Sequence, residues 1–349
     1  MSKSSKLKAA VVGANGYTGE ELCRLLLRHP QVSLDIVTSR QHAGKSLTSV
    51  IPGLGGFPGA GELLFTAPSV ERLLSSDADV FFLSLPHGVA SEFALPLFEA
   101  GRKVIDISAD FRLRDASIYE EFYGEKHRAP KLLTEAVYGL PEIYREKIKT
   151  AALIASPGCY PTSILLPMIP LLRAGLLEAR DICVSAASGT SGAGRKASES
   201  LLFSECNESL KAYGLPKHRH LSEIEQELSF AARGGAPVHA TFVPHLAPMT
   251  RGIHTTIFAK PKAGIAQDDL FAAWAASYAD EPFVRFSENL PDTKNISGSN
   301  FAHFSLRVDE RTRTVVILSA VDNLVKGAGG QAVQSLNIQQ GWDEVEGLL

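Results

Sequence analysis

Short, unbroken apolar runs alternate with amphipathic segments in the first part of the chain. Apolar residues recur at helical spacing in residues 20–28 and 90–100. The apolar runs lie at residues 7–13, 33–37, 79–85, 103–107 and 151–155. Such runs are typical of parallel strands buried on both faces, and their alternation with helices predicts a doubly wound sheet. We therefore expect an α/β fold with a Rossmann-type parallel sheet, and a Gly- and Pro-rich loop at residues 44–61.

The pattern changes after residue 180, where strand signals outnumber helical ones. Strands are predicted at residues 181–187, 254–260, 283–286, 301–308 and 314–320. Residues 241–250 carry two prolines and are interpreted as a bend. This favours an inserted α+β domain with a mixed or antiparallel sheet. A last helix at 331–340 packs back on the first domain, so the predicted division is 1–158 plus 321–349, and 159–320.

Composition narrows the function classes. The 349 residues carry a net charge of −3, with a pI of about 6.4, so no basic footprint indicates nucleic acid or an anionic membrane. The four cysteines are scattered without a CxxC pair, which favours neither a metal site nor a disulfide framework and fits a reducing cytoplasm. The short polar N-terminus lacks the apolar core of a signal peptide, and no run of about 18 apolar residues predicts a membrane span.

A glycine-rich turn follows the first predicted strand and leads into a helix. Strand, Gly-x-x-Gly-x-x-Gly and helix together are typical of a turn that binds the pyrophosphate of a dinucleotide. The alternative is a glycine-rich βα turn without a ligand. The candidate cofactor residues in this turn are Gly13, Asn15, Gly16, Tyr17, Thr18 and Gly19.

The end of the second predicted strand bears on the choice of cofactor. An acidic residue there would favour NAD, but Ser39 and Arg40 offer a hydroxyl and a cation that suit a 2′-phosphate. We therefore expect NADP(H), the alternative being that Arg40 is a solvated loop charge. Pro86 follows another strand end and is a further candidate cofactor contact.

Residues 156–163, Ser-Pro-Gly-Cys-Tyr-Pro-Thr-Ser, predict a loop that places Cys159 at the start of a helix. Pro161 suits the first helical turn, where a missing N–H costs nothing. Unpaired amides and the helix dipole favour a thiolate there, so Cys159 is a candidate nucleophile. Taken without its context, a buried loop cysteine is the simpler interpretation.

Two further segments carry charged or small residues at strand ends. Arg112 is a candidate clamp for a carboxylate or phosphate, unless it pairs with Asp110 or Asp115. Arg251 and Glu223 are further candidate substrate contacts. The small-residue stretch after residue 187 permits close backbone approach to a flat ring or an anion. The candidate cofactor contacts in these later segments are Ser188, Gly189, Ser191, Gly192 and Asn323.

Two histidines flank an arginine just before a predicted helix. His218 and His220, with Glu223 three residues on, indicate a proton-transfer histidine with a carboxylate partner. A metal site is disfavoured because the group supplies at most three ligands, and a helix-capping role remains open for one histidine. His218 is favoured for proton transfer because His220 lies nearer Glu223.

Together these features predict attack of a thiolate on an acyl phosphate, loss of phosphate, and hydride reduction of the resulting thioester to an aldehyde. The motifs that carry this chemistry also resemble, in the same order along the chain, those of one known family. They are GANGYTG at 13–19, PHG at 86–88, ADFRL at 109–113, PGCYPT at 157–162, SGTSGAGR at 188–195, HRH at 218–220 with Glu223, and DNLVKG at 322–327.

These motifs are similar to those of the N-acetyl-gamma-glutamyl-phosphate reductase family, within the semialdehyde dehydrogenase superfamily. The resemblance implies NADPH-dependent reduction of N-acetyl-L-glutamyl 5-phosphate to the 5-semialdehyde in arginine biosynthesis, in the cytoplasm. It implies Cys159 as nucleophile, His218 and His220 near the reacting carbonyl, and a homodimer or homotetramer. By similarity to aspartate-semialdehyde dehydrogenases, Arg112 would hold the substrate phosphate.

Two alternatives stay open at this point. One is a sister reductase acting on an aminoadipyl phosphate in lysine biosynthesis, by the same chemistry. The other is a catalytically silent NADP-binding regulatory protein of the same fold, against which the intact Cys159 and both histidines argue.

Overall fold

A computed structural model describes residues 6–235 and 237–349. The chain forms two compact units. The first contains the residues up to Ser117 together with Glu125–Pro157 and Ala328–Leu349. The second contains Ile118–Gly124 and Gly158–Gly327. Part of the polar N-terminus, residues 1–5, lies outside the described residues.

The first unit is built on a seven-stranded sheet in which every pairing is parallel. Its strands are β1 (Leu7–Val12), β2 (Val32–Thr38), β3 (Phe65–Thr66), β4 (Val80–Leu83), β5 (Lys103–Asp106), β6 (Val137–Tyr138) and β7 (Leu153–Ala155). Their spatial order is β3-β2-β1-β4-β5-β7-β6, so the order reverses between β1 and β4. In a doubly wound sheet, ligands bind at the carboxyl ends of the strands at this reversal.

Helices cover both faces of this sheet. They are α1 (Tyr17–Arg28), α2 (Leu47–Val50), α3 (Val70–Leu74), α4 (Ala90–Glu99), α6 (Pro141–Ile148) and α11 (Gly330–Gln340). Helix α5 (Ala116–Tyr123) begins in this unit and belongs mostly to the second one. Ala9 and Val11 of β1 belong to one apolar cluster, whereas Ala10 and Val12 belong to another. Successive strand residues thus meet opposite cores, which is why the strands are unbroken apolar runs. The predicted Rossmann-type α/β fold is confirmed.

The second unit is built on a mixed seven-stranded sheet, as the sequence predicts. Its strands are β8 (Ile182–Ser188), β9 (Lys211–Ala212), β10 (Ala240–Leu246), β11 (Ile253–Ala259), β12 (Val284–Phe286), β13 (Ala302–Asp309) and β14 (Thr314–Val321). The order is β12-β13-β14-β11-β8-β10-β9, with parallel pairing between β8 and β10 and between β12 and β13. The remaining pairings in the sheet are antiparallel.

Helix α7 (Cys159–Ala174) contains two prolines in its interior and is completed by a neighbouring helix. The other helices of this unit are α8 (Phe203–Cys206), α9 (Arg219–Ala231) and α10 (Gln267–Tyr278). Pro170 has no N–H to donate to the carbonyl of Leu166, one turn earlier. The hydroxyl of Tyr278 donates to that carbonyl at 2.5 Å instead. Trp274 donates to the carbonyl of Pro167 at 2.8 Å, a second contact between α10 and α7.

Two local predictions are wrong. Residues 241–250 are not simply a bend, because Ala240–Leu246 forms strand β10. Pro244 fits this strand because its carbonyl accepts from the amide of Tyr213, and that contact requires no donor from the proline. The loop predicted at 44–61 contains α2 and a 3₁₀ turn at Pro52–Leu54. Pro141 occupies the first position of α6, where its missing N–H costs nothing.

Candidate active site

Cys159 is the first residue of α7 and is partly exposed. Gly158 precedes it as the N-cap, with extended backbone (φ −67°, ψ 157°) and no side chain to occupy the helix end. The carbonyl of Gly158 accepts from the amide of Thr162 at 3.0 Å, which starts the helix. Cys159 therefore lies where the amides of the first helical turn and the positive end of the helix dipole stabilise a negative charge.

Glu223, in the first turns of α9, holds the residue before the cysteine. Its Oε1 accepts from the backbone N–H of Gly158 at 2.8 Å, and its side chain is buried. A buried carboxylate is costly unless it is hydrogen-bonded, so this contact fixes the cysteine loop against α9. The sequence predicted Glu223 as a substrate contact, but its observed partner is the chain itself.

His220 lies against Gly158. A Cβ added to Gly158 would collide with Nε2 of His220 and would lie 2.8 Å from its Cδ2. The glycine therefore leaves room for the imidazole, whose Nε2 edge is directed at the residue that precedes Cys159. This reason for a glycine in the cysteine loop was not visible in the sequence.

His218 is the N-cap of α9 rather than a residue of the helix. Its Nδ1 accepts from the backbone N–H of His220 at 3.1 Å. Tyr160, Tyr213 and Phe242 surround its ring, with centroids 5.5–5.7 Å away. Burial, and then the nearby charge of Arg219, lower the pKa of His218 to about 4. His218 is therefore neutral at physiological pH, and its Nδ1 is committed to the cap.

Two tyrosines missed by the sequence analysis complete this cluster. The hydroxyl of Tyr213 donates to that of Tyr160 at 3.0 Å, and the Tyr160 hydroxyl donates to the carbonyl of His245 at 3.3 Å. Burial raises the pKa of Tyr213 to about 12. Tyr160 follows the cysteine directly, so its burial anchors the first turn of α7. No recognisable motif surrounds Tyr213, whose place depends on strand β9 pairing at the sheet edge.

The small-residue stretch after β8 and the predicted cofactor residue Asn323 lie together. Asn323 donates to Ser191 Oγ at 3.0 Å and accepts from the amide of Gly252 at 2.7 Å. Ser191 in turn donates to the carbonyl of Thr250 at 2.6 Å. A Cβ added to Gly189 would lie 2.6 Å from that same carbonyl, so only glycine permits this approach. The structure thus joins residues 188–192 and 323 in one group.

Arg251 lies between Thr250 and Gly252, which both contact this group, and its side chain lies near a carboxylate. Its Nε lies 3.5 Å from Oδ2 of Asp322, which is fully buried. The Arg251 side chain is itself mostly covered. Arg251, which the sequence predicts to bind substrate, therefore also contacts a buried carboxylate of the second unit.

In the first unit, the glycine turn lies at the point where the strand order reverses. Gly13 has φ +90°, and a Cβ there would collide with the carbonyl of Ser84, just after β4. A Cβ on Gly19 would lie 2.5 Å from the carbonyl of Gly13, whereas Gly16 has nothing nearer than 4.0 Å. Gly16 is also the N-cap of α1 and brings no side chain to it. The turn therefore fits a dinucleotide pyrophosphate at the open helix end.

The residues after β2 form a tight turn. Ser39 is buried, and its Oγ accepts from the amides of Gln41 and His42 at 3.3 Å. This leaves Arg40 on the exposed outside of the turn. Thr38, which the sequence analysis did not single out, accepts from the amide of Gly13 through Oγ1 at 3.1 Å and ties the two strand ends together.

Arg112 is buried among backbone carbonyls. It donates through Nε to the carbonyl of Ser156 at 2.7 Å and through Nη2 to that of Ile107 at 3.0 Å. These bonds hold the segment that leads out of β7. The neighbouring Asp110 accepts from the amides of Gly88 and Ser91 at 2.7 and 3.0 Å, so it orders the loop after Pro86.

Across the two described ranges, no group of three or more potential metal ligands is close enough to hold an ion. A cavity of about 530 Å³ opens beside β12 and β13. It contains none of the residues predicted from the sequence and is lined in part by Arg285, Phe301 and His303. The candidate chemistry is therefore that of a thiol, imidazoles and a dinucleotide turn.

Comparison with known proteins defines the class. Residues 8–151 match the family described as semialdehyde dehydrogenase, NAD binding domain, and residues 159–323 match semialdehyde dehydrogenase, dimerisation domain. The first unit thus carries a NAD(P)-binding domain of the semialdehyde dehydrogenase class. A relative from Akkermansia muciniphila, an N-acetyl-gamma-glutamyl-phosphate reductase, is 55% identical over 345 residues, which cover 98% of this chain and 99% of the relative. The chain belongs to the N-acetyl-gamma-glutamyl-phosphate reductase family.

Further relatives support this assignment. The reductase of the same name from Desulfotalea psychrophila is 48% identical, with 98% of each chain covered. Among solved structures, aspartate semialdehyde dehydrogenase II from Vibrio cholerae has the same fold, with a TM-score of 0.71 at 18% identity over 97% of this chain and 99% of that one. The predicted family and enzyme class are confirmed, and neither the aminoadipyl alternative nor the silent one is favoured.

Where the structure is described, no helix combines the length and the apolar character that crossing a membrane requires.

Proposed function

We propose that this protein reduces N-acetyl-L-glutamyl 5-phosphate to N-acetyl-L-glutamate 5-semialdehyde with NADPH, through a thioester on Cys159. The observation that carries the proposal is the placement of Cys159 at the open start of α7, next to the residue against which the His220 imidazole lies. A helix start, a thiol and an imidazole are the elements of an activated cysteine nucleophile.

His220 is the proposed acid/base, in preference to His218. Its Nε2 edge faces Gly158, whereas His218 uses Nδ1 to cap α9. His220 takes the proton of the Cys159 thiol as Sγ bonds to the acyl carbon, and phosphate leaves as the C–O bond to it breaks. It returns a proton when the C–S bond breaks and the aldehyde is released. His218 would fix the imidazole of His220 and the start of α9.

The amides at the start of α7 would stabilise the negative charge that forms on the acyl oxygen in both steps. Bound NADPH supplies the hydride for the thioester carbon. In our proposal, Ser188, Gly189, Ser191, Gly192 and Asn323 face the nicotinamide, and Gly13, Asn15, Gly16, Tyr17, Thr18, Gly19 and Pro86 contact the rest of the dinucleotide. Arg40, exposed beside the Ser39 turn, would bind the 2′-phosphate and give the preference for NADP(H).

Three residues remain candidates for substrate binding, namely Glu223, Arg112 and Arg251. Their observed contacts support roles in positioning other segments. Glu223 holds the Gly158 amide, and Arg112 holds the carbonyl of Ser156. Arg251 balances the buried charge of Asp322. Each would act on substrate through the segment that it fixes.

The enzyme would work as a homodimer or homotetramer in the cytoplasm, built through the domain at 159–320, with residues 1–158 plus 321–349 as the cofactor domain. The dimerisation family matched by residues 159–323 supports this assembly. The ordinary composition and the scattered cysteines support the compartment.

The nucleophile is tested by Cys159→Ser, assayed as phosphate-dependent reduction of NADP by N-acetyl-glutamate 5-semialdehyde. Activity should be lost, while Cys183→Ser, an exposed cysteine, should keep it. Substantial activity in Cys159→Ser would refute the thioester route. A preference for the aminoadipate semialdehyde in the same assay would refute the substrate.

A further inference from the structure

We propose that Asp322 is a positioning residue for Cys159 and acts through Gly327. The proposal rests on the nucleophilic role proposed above for Cys159. Asp322 directly precedes Asn323, and nothing in the sequence analysis assigned it a function.

The carboxylate of Asp322 joins three segments of the second unit. Its Oδ1 accepts from the amides of Leu324 and Val325 at 2.8 and 3.1 Å. Its Oδ2 accepts from the amide of Gly298 at 2.6 Å and lies 3.5 Å from Nε of Arg251. The side chain is fully buried, so its charge is tolerated because these donors surround it.

The backbone after Asp322 follows a rare geometry. Val325–Gly329 is a π-helical turn, in which hydrogen bonds span five residues. The carbonyl of Asp322 accepts from the amide of Gly327 at 2.9 Å, a bond of this type. Asp322 therefore contacts this segment in two ways. Its carboxylate accepts from the amides of Leu324 and Val325, and its carbonyl accepts from the amide of Gly327.

Gly327 is in direct contact with the cysteine. A Cβ added to Gly327 would lie 2.8 Å from Cβ of Cys159 and 3.1 Å from its Cα. Real Cβ atoms do not approach so closely, so even a methyl group here would displace Cys159 or the turn. The position of Gly327 thus sets the space that the Cys159 backbone can occupy.

These contacts form a continuous chain from the Gly298 loop through Asp322 and the π-helical turn to Cys159. If the carboxylate is replaced by an amide, the Nδ2 group cannot accept, and at least one of the bonded amides loses its partner. The turn would then relax, and Gly327 would move against Cys159. Displacement of a reacting group by about 1 Å can cost about a hundredfold in rate.

The test compares Asp322→Asn and Gly327→Ala with the controls Asp292→Asn and Gly56→Ala. Asp292 is exposed and accepts from the backbone and side-chain amides of Asn295, and a Cβ on Gly56 meets nothing within 4 Å. Each protein is tested for thermal unfolding, for kcat and KM, and for the rate of Cys159 alkylation by iodoacetamide across pH, followed by peptide mass spectrometry.

Both test variants should lower kcat by at least about tenfold and alter the pH profile of Cys159 alkylation, with smaller changes in KM, while both controls match the wild type. A wild-type alkylation profile and kcat in both test variants would overturn the proposal. If Asp322→Asn fails to fold, Gly327→Ala tests the same contact from its other end. Alkylation is measured without turnover, so an active Cys159→Ser protein would refute the nucleophile separately from this positioning role.

Discussion

The Oε1 atom of Glu223 accepts a hydrogen bond from the backbone amide of Gly158 at 2.8 Å, across 65 residues of chain. This bond connects α9, which carries His220, to the residue that precedes Cys159. We expect Glu223→Ala to lower kcat about a hundredfold, because the acceptor that fixes the cysteine loop is lost. Glu223→Gln keeps an acceptor oxygen and should stay within about tenfold of the wild type.

Steady-state kinetics on the two Glu223 variants separate a positioning bond from a need for charge. Equal losses in both would contradict the positioning role. The exposed Glu205→Gln serves as the control and should leave kcat unchanged.

Gly158→Ala should inactivate the enzyme without unfolding it. The backbone of Gly158 (φ −67°) is open to alanine, but the new methyl group would occupy the place of the His220 imidazole. We expect kcat to fall about a hundredfold, with thermal unfolding close to the wild type. Gly61→Ala, where the nearest atom is 3.8 Å away, is the matched control. Normal kcat in Gly158→Ala would mean that His220 need not lie there.

Arg40→Ala tests the cofactor preference. Loss of the guanidinium should raise KM for NADPH about tenfold and change KM for NADH little, because only the former carries a 2′-phosphate. Arg72→Ala removes another exposed arginine of the first unit and serves as the control, with both KM values unchanged. An equal rise in KM for NADPH and NADH would show that Arg40 does not recognise the 2′-phosphate.

Because Asp106 is buried, we expect the free energy of unfolding to depend on pH in a distinctive way. Burial, and then the charge of Asp110, raise the pKa of Asp106 to about 7 from its ordinary value of 3.8. The folded protein thus holds a proton that the unfolded chain releases, so this contribution to stability is complete below pH 3.8 and is lost as pH rises to about 7. In Asp106→Asn the free energy of unfolding should fall less steeply over this range. Urea titrations at several pH values measure the difference, and parallel curves would contradict it.

Local motifs indicated part of the candidate site. The glycine turn and the start of α7 were visible because glycine, proline and cysteine determine short-range geometry at Gly13 and Cys159. The role of Glu223 was not, because its partner lies 65 residues away. The prediction at Pro244 was wrong for a similar reason. A proline usually ends a strand, and only the chain beside it, at β9 and Tyr213, shows that its carbonyl is the group that finds a partner.

Pro170 in the interior of α7 has a consequence for the order in which the protein is made. It cannot donate to the carbonyl of Leu166, which accepts instead from the hydroxyl of Tyr278 in α10. A nascent chain of 170 residues therefore lacks the donor for this carbonyl. The carbonyl of Leu166 gains its partner only after α10 has been synthesised.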